Sequence, residues 1–523
     1  MNLAANKLPD DPATLKELLI NEWSARQKEQ AASEEREDKL KQQIHSLLEA
    51  LRLEKHRLYG ASSEKSPDQS ELFDEADSCT DESELESTDE AGVAAIVAAT
   101  TLESSKTKPP TRKPLPPELP RVRHVIELSE DERQCACGCA LVEIGEDISE
   151  QVDIIPARVQ VIQHVRKKYA CKACEETIKL APTPEVLLPK SLASGNTMAY
   201  VITSKYADGL PLYRLSGILS RYGIDMPRQT LSESVLRVAD RLSPLMDHLT
   251  QQLMNSPLLY MDETRVQVLN EPGKTPQSNS YMWVQRGGPP GKTMIRFHYD
   301  PGRSTDTAKR LLAGFTGALV SDGYKPYREV AKDNGLTHLC CWAHSRRKFI
   351  EAQKAQPKGK TGKADMAVNF IAKLYAVEKQ TKTGDAAARH RSRQQVSVPT
   401  LKQFHQWLLK SQQQVPPKTA LGKAINYTLE YWPELSKYTD NGDWPIDNNP
   451  AENAIRPFVI GRKNWLFSNS QRGAKASAKL YGLVETAKAN GKEPYSYLSW
   501  LFEKLPGADL HNIDLLMPWN MPE

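Results

Sequence analysis

The chain has 523 residues, enough for about three domains. Its hydrophobic content of 39% is low for one compact globule, so some segments must be solvated or extended. No apolar run approaches the ~18 residues that would span a membrane. The net charge is only +3, but charge is segregated along the chain, which matters more than the total. The N-terminus, MNLAANKLPDDPATLKELL, lacks the apolar core of a signal peptide, so the expectation is a cytoplasmic protein. Five of the eight cysteines fall between Cys135 and Cys174, which in a reducing compartment favours a metal site over disulfides.

Residues 1–59 read as a helical segment. Leu40, Ile44, Leu47, Leu51 and Leu58 follow steps of four and three, with Glu54 at one seam position. This is a short coiled-coil pattern whose partner is either a second copy of the chain or the helix's own domain; polar flanks favour self-association. Residues 60–124 read as a linker. From 60 to 104, thirteen acids stand against one base, Lys65, a composition that cannot bury enough apolar surface to offset chain entropy. The run KTKPPTRKPLPPELPRVRH then fits an extended polyproline spacer.

Residues 125–190 hold the cysteine-rich module. Cys171 and Cys174 form one C-x-x-C knuckle, and Cys135, Cys137 and Cys139 offer further thiolates at tighter spacing. With alternating segments between them, two knuckles make a zinc ribbon with a structural Zn²⁺, because four thiolates leave no open position. The first knuckle contributes Cys137 plus either Cys135 or Cys139. Residues 191–254 are helical by pattern. One helix stops at Tyr222-Gly223, and another begins at Pro227 with Arg228, Gln229 and Thr230. A helix, a glycine-containing turn and a helix with a polar N-terminus resembles a helix-turn-helix, with plain helical packing as an equal alternative.

The pattern then switches. Over 255–349, SPLLYMDETRVQVL, YMWVQR and TMIRFHY read as strands, a helix follows from about 304 to 312, and GALVSDGY is a buried strand. LTHLCCWAHSRRKF is a strand running into a basic helix. Acids stand at the ends of the first and fourth strands, Asp262 and Asp322. Apolar strands followed by helices imply an α/β layer. An acid at a strand end is reachable from solvent yet rigidly held, which suits catalysis. Residues 350–446 read as a basic helical insertion, and 491–523 as a helical tail whose apolar HNIDLLMPWN packs back on the body.

Between them, 447–490 begins with DNNPAENAIRPFVIGRKNWLF. From Glu452 to Tyr481 there are Arg456, Arg462, Lys463, Arg472, Lys475 and Lys479 and no other acid, with Trp465 and Phe467 available to stack on bases. A lone acid among phosphate-binding groups suggests a metal ligand held against a nucleic-acid backbone. Equally, Asn449-Pro450 reads as an N-cap followed by proline at the first helical position, which makes Glu452 a capping-box glutamate. Asp262, Asp322 and Glu452 together form a candidate set for two Mg²⁺ (or Mn²⁺) ions in phosphoryl transfer.

At these residues the chain resembles a bacterial transposase of the insertion-sequence-66 family. The likeness is carried by LYRLSGILSRYGIDMPRQTL, YMDET, LVSDGY, CCWAHSRRKF, DNNPAENAIRPFVIGRKNWLF, KKYACKAC, LYGASSEKS and LLMPWN, in family order over nearly the whole chain. The resemblance implies a multidomain α+β protein: a leucine-zipper-like N-terminus, a zinc module, a helix-turn-helix, and a ribonuclease-H-like core of the DDE type with Asp262, Asp322 and Glu452 as its metal-binding acids. It also implies a bacterial, nucleoid-associated enzyme that cuts and joins double-stranded DNA at transposon ends and target. Such an enzyme acts as a homodimer, and proteins encoded in the same element can serve as accessories. The alternatives are a related nuclease without a joining step and a zinc-containing DNA-binding protein without chemistry.

Departures from the family pattern are local. CACGC replaces the usual C-x-x-C-G, and Asn453 stands where arginine commonly follows the glutamate. Glu263 adjoins Asp262, so the choice between them rests on strand alternation, which selects Asp262. Cys341 and His344 have ligand-like spacing without a second pair in the sequence. The expectation is therefore a buried cysteine, with His344, Arg346 and Arg347 near DNA.

Overall fold

The computed structural model describes residues 11–59, 121, 159–170, 178–356 and 362–522. The chain divides into two compact units, residues 1–82 with 165–523, and residues 83–164. In the second unit the described residues, 121 and 159–164, carry no regular structure. The expected acidic tether at 60–104 lies outside the described residues.

The first unit opens with one long helix, α1 (Pro12–Tyr59). Its seam residues Leu40, Ile44, Leu47 and Leu51 are exposed. Glu49 of this helix accepts a hydrogen bond from the Ala420 backbone N–H (3.1 Å). A short antiparallel hairpin follows, β1 (Lys168–Ala170) and β2 (Ile178–Leu180), with Tyr169 opposite Lys179. Four helices come next: α2 (Gly195–Tyr206), α3 (Leu212–Arg221), α4 (Arg228–Arg241) and α5 (Ser243–Met254). Leu215 and Leu219 bury the inner face of α3. Gly223 makes the turn at φ +79°, a region that disfavours a side chain. Ser216 Oγ then donates to Met226 O (2.8 Å), tying the turn to α3.

The central sheet is mixed. Strands β3 (Leu258–Asn270), β4 (Asn279–Gly287) and β5 (Met294–Asp300) form an antiparallel meander. After α6 (Thr305–Leu311), β6 (Ala318–Ser321) joins β3 in parallel, with Tyr260 beside Val320. Helix α7 (Lys325–Asp333) leads to β7 (Thr337–Cys340), parallel to β6, giving the order β5-β4-β3-β6-β7. The sequence pattern does not set KPYREVAKD apart as a helix, since the segment is only nine residues long; in the structure it is α7.

From β7 the chain enters α8 (Trp342–Lys354), then α9 (Lys363–Gln380), α10 (Ala386–Ser392), a π-turn at Arg393–Ser397, α11 (Val398–Gln412), α12 (Ala420–Glu430) and α13 (Trp432–Ser436). These helices build a hydrophobic core of their own around Trp342, Phe349, Ile371, Phe404, Leu408, Ile425 and Tyr438. The chain returns through α14 (Asn449–Trp465), β8 (Ser468–Ser470, parallel to the end of β3), α15 (Gln471–Ala489) and α16 (Pro494–Lys504). In the tail, Leu516 and Met517 are buried, and Tyr497 donates to Leu516 O (2.9 Å).

Helices cover both faces of the sheet, and strand alternation decides which residue meets which layer. Val284 and Phe297 stand opposite one another, and Phe297 packs on Phe458 of α14 (6.3 Å) and Tyr481 of α15 (5.7 Å). On the other face Trp283 packs edge-on against Tyr327 of α7 (6.1 Å). Helix α15 is capped by Ser470, whose Oγ accepts from Gly473 N (3.2 Å). Ser470→Ala is expected to destabilise the protein by about 1 kcal/mol, read from denaturant titration, because one helix-end donor loses its partner.

Candidate active site

Asp262 and Asp322 meet through strand register. Tyr260 pairs with Val320, and continuing that parallel register two residues brings Asp262, which lies inside β3 and not at its end as the sequence suggests, level with Asp322, which directly follows β6. Asp262 also stands opposite Val284, which puts it on the sheet face covered by α14 and α15. Glu452 lies in the first turn of α14 and is buried (2% exposed). The Asp262 carboxyl is pushed well above the usual carboxylate range, first by burial, then by repulsion from Glu263, Glu452 and Asp322. Burial also raises Asp322, against the Tyr324 backbone N–H (3.0 Å) and the cations Arg303, Lys348 and Arg347.

Glu263 points to the opposite face. Its carboxylate accepts from Arg303 Nε (2.6 Å) and from the Tyr327 hydroxyl. Burial pushes it up to about 7, with Asp322 adding to the rise and Arg303 opposing it. An acid already held by a guanidinium and a phenol on the α7 side is not available to the α14 side. Alternation therefore separates the two neighbouring acids.

The capping-box reading of Glu452 is corrected. The N-cap is Asn448, one residue earlier than the sequence suggested, so Glu452 is the fourth helical residue and not the third. Asn448 makes no side-chain cap; its Nδ2 donates to Met261 O (2.9 Å) and its backbone N–H to Cys341 Sγ (3.2 Å), latching α14 to β3 and α8. The Glu452 carboxylate instead lies 3.6 Å from His344 Nδ1 and 3.6 Å from Arg347 Nη2, both on α8. Burial, then Arg347 and Lys348, hold the His344 imidazole neutral, with its pKa down at about 3.

The basic residues divide. Arg228, Gln229 and Thr230 are exposed at the start of α4, and Lys463 and Lys475 are also exposed. Arg456 is half-buried. Arg346, expected near DNA, is instead 7% exposed and faces the interior near Tyr375, because its position on α8 points into the helical insertion. Arg462 donates to the Arg265 carbonyl, and Arg472 pairs with Asp240 (2.9 Å) and Glu233 (3.6 Å) of α4. Trp465, expected to stack on bases, packs against Phe458 (5.4 Å) with Lys205 over its ring. Phe467 remains exposed (42%). An acid-free stretch of sequence thus acquires acidic partners from α4, which no local reading could supply. The residues missed were Asn448 and Arg303. Asn448 lies in the DNNPAEN motif but was overlooked beside Asn449, Arg303 lies in no motif, and each matters only through partners brought by folding.

Cys135, Cys137, Cys139, Cys171 and Cys174 lie outside the described residues. The β1–β2 hairpin brackets the segment containing Cys171 and Cys174.

Comparison with known proteins identifies the family. The family model described as "Transposase IS66 family" matches residues 190–476, more than half the chain. The zinc-finger binding domain of transposase IS66 matches 132–175, "Transposase C of IS166 homeodomain" matches 46–123, and the IS66 C-terminal element matches 482–519. The chain belongs to the IS66 family of transposases, enzymes acting on DNA, and includes that family's zinc-finger region. It is 34% identical to the uncharacterized protein y4jD of Sinorhizobium fredii, over 78% of this chain and 81% of that one. It is 31% identical to y4qI of the same organism, also uncharacterized, over 99% of both chains. No solved structure matches. Among the described residues no helix is long and apolar enough to cross a membrane.

Proposed function

We propose that this chain is a DDE-class transposase that binds the terminal inverted repeats of its own element, cuts a strand at each end, and joins the 3′ ends to target DNA. The core is read as ribonuclease-H-like: an antiparallel meander continued by two parallel strands, with helices on both faces. The observation that supports the reading is that Glu452 and Asp322, from a helix and a neighbouring strand, both act by like-charge repulsion on the Asp262 carboxyl, which burial and Glu263 also raise. Clustered buried oxygens of this kind fit hard divalent cations, and two Mg²⁺ (or Mn²⁺) ions held by these acids would activate the attacking oxygen and stabilise the leaving one. Asp262 and Asp322 present carboxylates from a rigid sheet, so their separation is set by strand register. Glu452 closes the third side, held from α8 by Arg347 and His344. Exposed Lys463 and Lys475 offer charge to the DNA backbone outside the acid cluster.

The cysteines between Cys135 and Cys174 hold a structural Zn²⁺. Arg228, Gln229 and Thr230, exposed at a helix N-terminus, are suited to reach a groove. Arg228→Ala is expected to weaken binding to end-repeat DNA by about 1–3 kcal/mol in a fluorescence-anisotropy titration at fixed salt. Unchanged affinity would remove this helix from the DNA. The exposed seam of α1 supports a homodimer, in keeping with the need to hold two ends at once. The site of action is the bacterial nucleoid.

The test is the full chain incubated with DNA carrying paired ends. Nicked ends and joined products that require Mg²⁺ or Mn²⁺ are expected. Cut but unjoined ends would point to a nuclease, and specific binding without metal-dependent cutting would overturn the enzymatic reading.

A further inference from the structure

Cys341 caps α8 and His344 lies one turn on, so their side chains share one side of the helix start. In sequence this pair has no partner. Folding supplies one: candidate ligand atoms of Cys341, His344 and Glu452 all lie within 4.8 Å of one another. We propose that these three residues form a separate metal site for a zinc-class ion, sharing Glu452 with the acid cluster.

The donor set argues for the class of ion. Sulfur, nitrogen and oxygen together suit a borderline-soft ion such as Zn²⁺ and not Mg²⁺, which takes oxygens in an octahedron. Tetrahedral zinc at its usual bond lengths sets its ligand atoms roughly 3.3–3.8 Å apart. The His344 Nδ1 to Glu452 Oε1 distance is 3.6 Å. That separation is too long for a hydrogen bond, and among the described residues Nδ1 of His344 is buried with no hydrogen-bond partner. A buried imidazole nitrogen with no hydrogen-bond partner, facing a carboxylate oxygen at this distance, is a ready ligand. Cys341 Sγ accepts from the Asn448 backbone N–H (3.2 Å); burial, then the Glu452 and Asp447 carboxylates, push its thiol well up, so binding an ion there must release the thiol proton. Arg347 approaches Oε2 of Glu452, leaving Oε1 on the His344 side. Three protein ligands leave one tetrahedral position open. A zinc here orients Glu452 beside Asp262 without any contribution from the cysteine-rich module.

Metal content separates this site from the catalytic reading, because it is measured without DNA or Mg²⁺. Full-length protein loaded with zinc and exhaustively desalted is expected to hold two equivalents per chain. Cys341→Ser and His344→Ala should each hold one. The full chain with Cys135, Cys137, Cys139, Cys171 and Cys174 all changed to serine should retain one equivalent, and its zinc-edge X-ray absorption should show a single sulfur with nitrogen and oxygen neighbours. That last measurement needs no change at the proposed site, so it decides even where Cys341→Ser fails to fold. A zinc-free five-serine chain, a coordination shell without sulfur, or a second equivalent persisting in folded Cys341→Ser would overturn the site.

Discussion

Asp322→Asn is expected to lower Mg²⁺-dependent cleavage and joining by at least ~10³-fold, while affinity for end-repeat DNA stays within about twofold. The loss follows from removing one of the two carboxylates that strand register sets level with each other, so that transition-state charge loses its counter-ion support. A gel assay of product formation beside a binding titration reads both quantities. Retained cleavage in this variant would remove Asp322 from metal binding. A second readout separates lost chemistry from lost folding. Asp262, Asp322 and Glu263 all have raised folded pKa values, Glu263 to about 7, so each contributes stability that is fully present below the ordinary carboxyl range and is lost as pH rises through its own folded value. Buried His298, His338 and His344, all depressed, act in the opposite sense as pH falls below about 6.5. The difference between wild type and variant cancels the histidines. Without metal, Asp322→Asn should be more stable than wild type at pH 8, and the gain should shrink as pH falls toward the ordinary carboxyl range. Mg²⁺ should raise the wild-type melting temperature at pH 8 and the variant's much less.

Arg393→Ala is expected to cost about 3–5 kcal/mol and to melt the helical insertion before the sheet. Arg393 is 1% exposed inside the helical core. Its guanidinium makes a two-pronged pair with Glu378 (2.9 and 2.6 Å) and donates to Tyr438 O (2.8 Å) and Asn441 O (2.7 Å). Truncation strands a mostly buried carboxylate and two carbonyls and opens a cavity against the Tyr438 ring. Replacing both partners with apolar residues, Arg393→Met with Glu378→Leu, should recover a large part of the loss, since no buried charge is then left uncompensated. Denaturant titration followed by hydrogen exchange over α9 to α11 would show it. A loss under about 1 kcal/mol would mean that the pair is solvated in the native state.

Several features were legible in the residues alone. The three strands from Leu258 to Asp300 announce themselves by alternation and β-branched or aromatic content, and they form where expected. Asp262 was separable from Glu263 because the period of a strand is two, and the structure gives Glu263 to Arg303 and Tyr327 on the far face. The cysteine spacing and the motif order were enough to indicate the family. These are local properties, set by neighbours within a few residues, and they survive without a three-dimensional context.

Which side chains neighbour one another was decided by tertiary structure. Local propensity put the N-cap at Asn449, whereas packing placed it at Asn448, whose side chain is spent on Met261 O and leaves Glu452 facing α8. Arg346 and Trp465 carry the composition of a nucleic-acid surface, yet one is drawn into the insertion and the other packs on Phe458. Cys341 and His344 looked incomplete until Glu452 arrived from more than a hundred residues away. Sequence determines which groups are present and the period at which they repeat. Which of them share a cavity depends on long-range register and helix docking, because burial and repulsion act between side chains that only the folded chain brings within a few ångströms.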